Sequence, residues 1–462
     1  NTCKLNGLRV YSRLLGDVLT KPTKPWVNTE FVDLDLGDER LNKRARTLMD
    51  RFSSKPTASI TMACNGWSET IATYRFLGNE AVDWRDIMAP HYAQTRQRMR
   101  AHAVVLCLQD TTELDFNGQD ITGLGPLSYE AQRGMYLHPT YAITPQREPL
   151  GVTDAWMWAR QPKDADGQRP GPKESLRWIE GYKRVAEMAA DVHSTRLVYV
   201  ADRESDIVEL MQCAQDMGTP ADWLVRAKHN RCLPEGQKLW SHTCAGEPLG
   251  EIVFTMPSRQ GQKARPVRQQ LWARRLEIPA GKTATVEVTC IVACEVGAPA
   301  GITPVQWRLL TNRVAPTLDA VIELIDWYRA RWEIEMFFHV LKNGCGIEAL
   351  QLSGVDCLER ALALFMVVAW RIAHLMRTGR TCPNLDAALF FDPDEIRGAF
   401  LLMKKKPPKR PPRINEVLRL IATLGGFLAR KGDGEPGVKT IWLGLQRVRD
   451  AATTLQALRD ES

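Results

Sequence analysis

The spacing of apolar and polar positions changes several times along the chain. Residues 1 to about 100 are polar and helical in rhythm, with no stretch that alternates like a strand. Gly37-Asp38-Glu-Arg40-Leu-Asn-Lys43-Arg44 reads as a helix start, with Asp38 as N-cap and cations along the helix that follows. A second helix is predicted over 68–77. From His102 short apolar runs take over. Strands are predicted over 103–108, 135–144 and 149–158, the last two joined by the turn Pro145-Gln-Arg-Glu-Pro149. A helix over 173–192, a strand over 197–201, a helix over 205–217 and a strand over 223–227 follow. That order is mixed α/β.

Residues 229 to about 303 have Gly/Pro punctuation and alternating stretches at 251–256 and 283–296, which predict an antiparallel β insertion. The insertion carries the basic segment Lys263-Ala-Arg265-Pro-Val-Arg268, with Arg274 and Arg275 close behind. A strand over 305–311 resumes the α/β pattern, and a helix over 318–343 follows it. Beyond about 350 the chain reads as helical: 357–376, then a basic, proline-rich connector at 404–413, then 414–428 and 442–458. The expected organisation is a segment 1–25, a helical unit 26–100, an α/β unit 101–350 containing the insertion, and a helical unit 351–462.

Composition adds modest constraints. Apolar and charged fractions of 44% and 25% are those of a soluble globular protein. The net charge of +7 is compatible with a polyanionic partner without requiring one. Eleven cysteines lack metal-site spacing and read as reduced thiols of a cytosolic protein. No apolar leader is visible at the N-terminus, and the longest apolar run, 361–370, is too short to span a bilayer. No membrane partner is expected.

Candidate chemistry concentrates in the helix over 318–343. At about 100° per residue, Tyr328, Arg331, Glu335 and Lys342 fall within roughly 60° of one another. A carboxylate can hold a divalent cation, while Arg, Lys and Tyr can grip phosphate oxygens. The same four residues also fit a structural ion-pair ladder. The remaining surface of this helix is largely apolar, Trp332 included, as in a buried helix. Asp326, Arg329 and Glu333 form a second polar stripe that reads as its solvated side.

Two aspartates give Glu335 company. Asp110 ends the run Val-Val-Leu-Cys-Leu-Gln, and Asp202 ends Leu-Val-Tyr-Val-Ala. Ligands of open α/β sheets bind beyond the carboxyl ends of strands. If the two strands are parallel neighbours, both acids emerge at one edge, and Glu335 on a helix packed across it completes a site for hard cations.

Asp110-Thr-Thr, Asp202-Arg-Glu-Ser-Asp206 and Tyr328-x2-Arg331-x3-Glu335-x6-Lys342 together resemble the DDE transposases, more narrowly the IS-four family and its Tn-five type. The resemblance runs from about Trp26 to the C-terminal helices and leaves 1–25 outside as an extension. It implies an RNase H-like core with the β insertion before the last acid, an N-terminal DNA-binding domain and a C-terminal dimerisation region. By that resemblance Asp110, Asp202 and Glu335 hold catalytic Mg²⁺ (or Mn²⁺), as two ions. Tyr328, Arg331, Lys342 and Arg226 hold backbone phosphate, and Trp307 stacks on a flipped base. Arg40, Lys43 and Arg44 are candidates for reading the DNA end on charge and position alone. Two positions depart from the pattern: His339 stands in place of a further lysine, and Met336 in place of an acid.

The activity so implied is cut-and-paste transposition of double-stranded DNA. Terminal inverted repeats are bound and paired by a homodimer, cleaved through a hairpin intermediate, and joined by their 3′-OH ends to target DNA in the bacterial cytoplasm. An RNase H-fold nuclease without strand transfer shares the acids. A non-catalytic DNA-binding regulator shares the flanking helices.

Overall fold

Strand β1 (Val104–Gln109) places alternate side chains in two cores, Val105 and Cys107 in one, Leu106 and Leu108 in the other. A strand buried on both faces reads as an unbroken apolar run, which is how it appears in the sequence. In the computed structural model, which describes residues 26–461 apart from 172, 257–263 and 282–283, β1 lies within one 11-stranded sheet. The extension expected at 1–25, and Lys263 of the basic segment, lie outside the described residues.

Strands β2 (Thr112–Asp115) and β3 (Gly125–Pro126) pair with β4 (Arg133–Ile143), which forms a hairpin with β5 (Pro149–Trp158) and also runs antiparallel to β1. On its other side β1 pairs in parallel with β6 (Arg196–Ala201), and β6 in parallel with β7 (Asp222–Arg226). Helices Ser175–Ala189 and Val208–Asp216 fill one face, supplying Trp178, Tyr182 and Leu210 to the core. An antiparallel hairpin leading into three parallel strands, with both faces covered, is an RNase H-like core.

The sheet continues through the insertion. Strands β8 (Gly250–Met256), β9 (Arg265–Ala280) and β10 (Ala284–Glu295) are antiparallel neighbours, and β11 (Gln306–Thr311) joins them to β7. The 16-residue β9 occupies what the sequence marked only as a basic segment. Its cations find partners across the strands: Arg265 with Glu295 at 3.0 Å, Arg275 with Glu287 at 2.8 Å. Val267, Gln269 and Leu271 alternate inward between them. Cross-strand pairing, invisible to local pattern, makes this segment a strand.

The second face of the sheet meets the helices of both ends. Helix Val355–Thr381 takes in the apolar run 361–370 and extends it to 27 residues. By length and composition it could cross a membrane, contrary to the reading of the run alone, but 83% of its most apolar window is buried inside the fold. Phe365 stacks on Phe52 of helix Glu39–Ser54 at 4.7 Å, and the buried Arg360 donates to the carbonyls of Leu77 and Val82 at 2.9 and 2.6 Å. Helices Pro393–Leu402, Ile414–Leu424 and Val438–Asp460 complete the C-terminal part. The basic connector between the first two contains neither helix nor strand. It is tied down where Ala387 N donates to Pro412 O at 2.9 Å.

Candidate active site

The register of β1 against β6 pairs Gln109 with Ala201, so Asp110 and Asp202 are the first residues beyond two adjacent parallel strand ends. Each is fixed by its own turn. Thr111 N donates to Asp110 Oδ1 at 2.9 Å, and Glu204 N donates to Asp202 Oδ1 at 2.8 Å, capping the 3₁₀ turn Arg203–Ser205.

The helix carrying Glu335 is not the uninterrupted one expected. Helix Leu318–Ala330 tightens at Arg331, whose N–H bonds to Tyr328 O, and a second helix, Trp332–His339, starts there. A π turn at Val340–Gly344 then widens it, with Cys345 N bonding to Val340 O. Departures of this kind shift side chains off a regular wedge and are frequent at functional sites. Arg331 and Glu335 stay together. Lys342, inside the widened turn, pairs instead with Glu348 at 3.3 Å.

Arg331 is the hinge of the acid cluster. Its Nη1 donates to Asp110 Oδ2 at 2.6 Å and to Glu335 Oε1 at 3.4 Å, bringing the helix acid to the strand ends. Burial pushes the Asp110 carboxyl up to about 7; the Arg331 guanidinium opposes this, and the charges of Glu335 and Asp202 add to it. Tyr328 is buried beside them, its phenol raised by burial against the pull of Arg331 and Arg226. Arg226 itself is exposed at the end of β7. Asp110 and Glu335 therefore share one guanidinium, with the charge of Asp202 acting on it as well, and a perturbed acid at a strand end is a functional-site signature.

Their oxygens are the hard donors that a divalent cation of the Mg²⁺ type takes. Among the described residues no three metal-binding groups yet converge on one point. Arg331 occupies the space between Asp110 and Glu335, so the donor chemistry fits and the guanidinium is what has to yield.

The other expected contacts lie outside this cluster. Trp307 on β11 is half-buried and stacks on Phe254 of β8 at 5.4 Å, with Arg329 over both rings. Arg40, Lys43 and Arg44 lie on helix Glu39–Ser54, where Arg40 is exposed and paired with Asp38 at 3.1 Å. Lys43 lines a polar cleft of about 510 Å³ that this helix forms with Asp394, Glu395 and Arg449 of the C-terminal helices. His339 packs near Trp442 of the last helix, with ring centroids 5.6 Å apart.

Two readings of the helix are corrected. Trp332, expected inside, is 59% exposed because it opens the new helix after the turn at Arg331. Glu333, expected on a solvated stripe, is buried against Arg377, whose Nε donates to it at 2.8 Å. Sequence reasoning also passed over Gln109, Thr111 and His138, which are bonded to one another behind Asp110. The available signal was polarity out of place: Gln109 closes the otherwise apolar β1, and His138 lies midway along the largely apolar β4.

Family models match three stretches that together take in most of the chain. Residues 23–82 match a transposase DNA-binding domain, 178–370 a transposase DDE domain, and 367–458 a transposase Tn5 dimerisation domain. The DDE match includes Asp202 and Glu335 and begins after Asp110. With these three modules in this order around an RNase H-like sheet, the chain belongs to the DDE transposases related to Tn5, enzymes that cleave and join DNA with the aid of divalent metal ions.

Proposed function

We propose that Asp110, Asp202 and Glu335 are the catalytic acids and hold Mg²⁺, as a pair of ions, with Mn²⁺ able to substitute. The observation that carries this reading is the parallel register that sets Asp110 beside Asp202, together with the Arg331 bridge from Asp110 to Glu335. When bound, the ions supply charge neutralisation and Lewis-acid activation at the scissile phosphate. The chain supplies position. Arg331 exchanges its carboxylate partners for phosphate oxygens, with Tyr328 and Arg226 beside it and Lys342 released from Glu348. Guanidinium forks suit that exchange, because carboxylate and phosphate offer them similar geometry.

The reaction is cut-and-paste transposition. One strand is nicked, the freed 3′-OH attacks the opposite strand to close a hairpin, and water reopens it. The same 3′-OH then attacks target DNA. Each step exchanges one phosphodiester oxygen for another with no enzyme-linked intermediate, so catalysis consists of alignment and charge stabilisation. Trp307 stacks on the base displaced during hairpin closure, its indole recovering part of the unstacking cost. Arg40, Lys43 and Arg44 contact the terminal repeat, and two chains pair two ends through the C-terminal helices. The setting is the bacterial cytoplasm, where the DNA substrate is.

The test is incubation with Mg²⁺ and a plasmid carrying the element's ends. Hairpinned ends and integrated product are expected. Nicking without joining would replace this reading with that of a nuclease, and binding without cleavage with that of a regulator.

A further inference from the structure

Behind Asp110 the strands carry a row of polar side chains where apolar ones would pack. Gln109, His138 and Thr140 are each no more than 1% exposed, on β1 and β4. Gln109 Nε2 donates to Thr140 Oγ1 at 2.7 Å, which leaves Gln109 Oε1 as an acceptor facing His138 Nε2 at 3.1 Å. An amide oxygen can only accept, so His138 carries its proton on Nε2. Burial, with the charge of Arg177, brings its pKa down to about 3, so the ring is neutral and Nδ1 holds a lone pair. The Thr111 hydroxyl, 2.8 Å from Nδ1, must then be the donor.

The row therefore donates in one direction, from Thr111 beside the candidate metal ligand through His138 and Gln109 to Thr140. Thr111 is held at two points: its hydroxyl by His138, and its backbone N–H by Asp110 Oδ1 at 2.9 Å. The histidine is clamped edge-on by Trp178 at 4.7 Å and by Trp156 at 5.8 Å. Gln109 has room only because Gly181 lies opposite; a Cβ there would stand 2.1 Å from Gln109 Oε1. A largely buried chain of polar groups bonded to one another fixes its members more tightly than apolar packing does.

We infer that His138 is a positioning residue that, through Thr111, sets the orientation of the Asp110 carboxylate for the metal. This rests on the assignment of Asp110 as a metal ligand. Partners behind a ligand typically change metal affinity by about 10- to 100-fold when removed. Thr111→Val removes the hydroxyl at constant shape, and His138→Ala removes the acceptor. Each is expected to weaken Mn²⁺ binding by the full chain on an already cleaved DNA end, with no target DNA present, about ten-fold, read by electron paramagnetic resonance. End binding should stay at the level of the parent. His138→Asn, which can still offer Thr111 an amide oxygen, should recover part of the loss. The Thr111→Val/His138→Ala double variant should be no worse than either single change.

Unchanged Mn²⁺ affinity in Thr111→Val overturns the inference, as do losses that simply add in the double variant. Since Thr111→Val keeps the core intact, misfolding of His138→Ala does not rescue the idea. Glu335→Ala separates the two layers: residual cleavage there removes the acid-site reading itself. If Glu335→Ala is inactive and Thr111→Val binds Mn²⁺ normally, only the positioning chain falls.

Discussion

Glu333 and Glu335 lie two residues apart on one helix, and the protein treats them in opposite ways. Glu333 is buried and accepts from Arg377 through both of its oxygens, one carboxylate to one guanidinium. Glu335 is 39% exposed and meets Arg331 only at 3.4 Å, while that arginine is committed to Asp110. The first pair is saturated. The second belongs to a cluster in which the charges of Glu335 and Asp202 add to the burial that raises Asp110, and that excess of negative charge leaves it able to take up a metal. Another saturated cluster makes the same contrast at the other end of the chain. There Glu30 receives Arg98 at 2.9 and 3.0 Å and His91 Nδ1 at 2.5 Å. Matched charges hold the fold, and unmatched ones are where chemistry can be done.

The largest expected effect tests the unmatched side. Glu335→Ala should lower cleavage by on the order of 1000-fold or more, because acids that act as a unit fail as a unit. Binding of the DNA end, read by gel shift, should persist. Arg377→Ala tests the matched side and should do the reverse. It strands Glu333 in the interior, where burial already pushes that carboxyl up and Arg377 only partly restores it. A loss of about 3 kcal/mol is expected from the urea midpoint. Replacing both partners, Arg377→Met with Glu333→Leu, should return most of it. If Arg377→Ala instead loses cleavage at full stability, the division between the two carboxylates is wrong.

How much of this could be read in advance follows from the range of the forces involved. The strand ends at Asp110 and Asp202 were legible, because a strand buried on both faces is an apolar run and its polar terminator stands out. The parallel pairing that makes them neighbours was a condition and not a reading. Register between strands 92 residues apart leaves no local mark. On the helix, a regular 100° wedge gathered Lys342 with Glu335, while the structure shows Lys342 within a widened turn and paired with Glu348. The tightening at Arg331 and the widening at 340–344 arise where the helix meets the rest of the core, which no periodicity contains. Strand β9 was missed for a related reason: its arginines look like a charge run until Glu287 and Glu295 arrive from the next strand. His138 was hidden most completely: a polar residue within an apolar run stands out, but its role shows only once Gln109 and Thr111 are brought to it.

The Glu30 cluster gives a pH test of the matched state. Burial alone would raise the Glu30 carboxyl, but the Arg98 charge, with His91 beside it, outweighs burial and brings it from 4.5 down to about 2. Val152 N donates to His91 Nε2 at 3.0 Å, so the ring holds its proton on Nδ1 and donates to Glu30 as a neutral group. A carboxyl depressed in the folded state stabilises it fully above pH 4.5, and the contribution is lost as pH falls toward 2. The amount is about 3 kcal/mol. The urea midpoint of the parent should drop over that window more steeply than that of Glu30→Gln. Parallel curves would mean that the cluster holds no such energy.

Asp110 should show the opposite sign, and less of it than its shift alone implies, because part of that shift comes from the charges of Glu335 and Asp202 in a site open enough for water to screen them. Its carboxyl is raised from 3.8 to about 7, so the metal-free fold prefers the protonated form. That preference costs nothing below pH 3.8, and stability is lost progressively as pH rises to about 7. Beyond that the fold carries an ionised carboxylate in a place that burial and two neighbouring acids make unfavourable. Asp110→Asn removes the charge and keeps the shape. At pH 8 without metal it should raise the urea midpoint by the equivalent of about 2 kcal/mol while abolishing cleavage. At pH 4 the two proteins should unfold together. In the parent, added Mg²⁺ should recover the same stability at pH 8, because a cation binding only the folded state supplies the missing positive charge. A variant destabilised at pH 8 would show that the Arg331 bridge already satisfies Asp110. The site would then be one more saturated cluster, and the contrast with Glu333 would vanish.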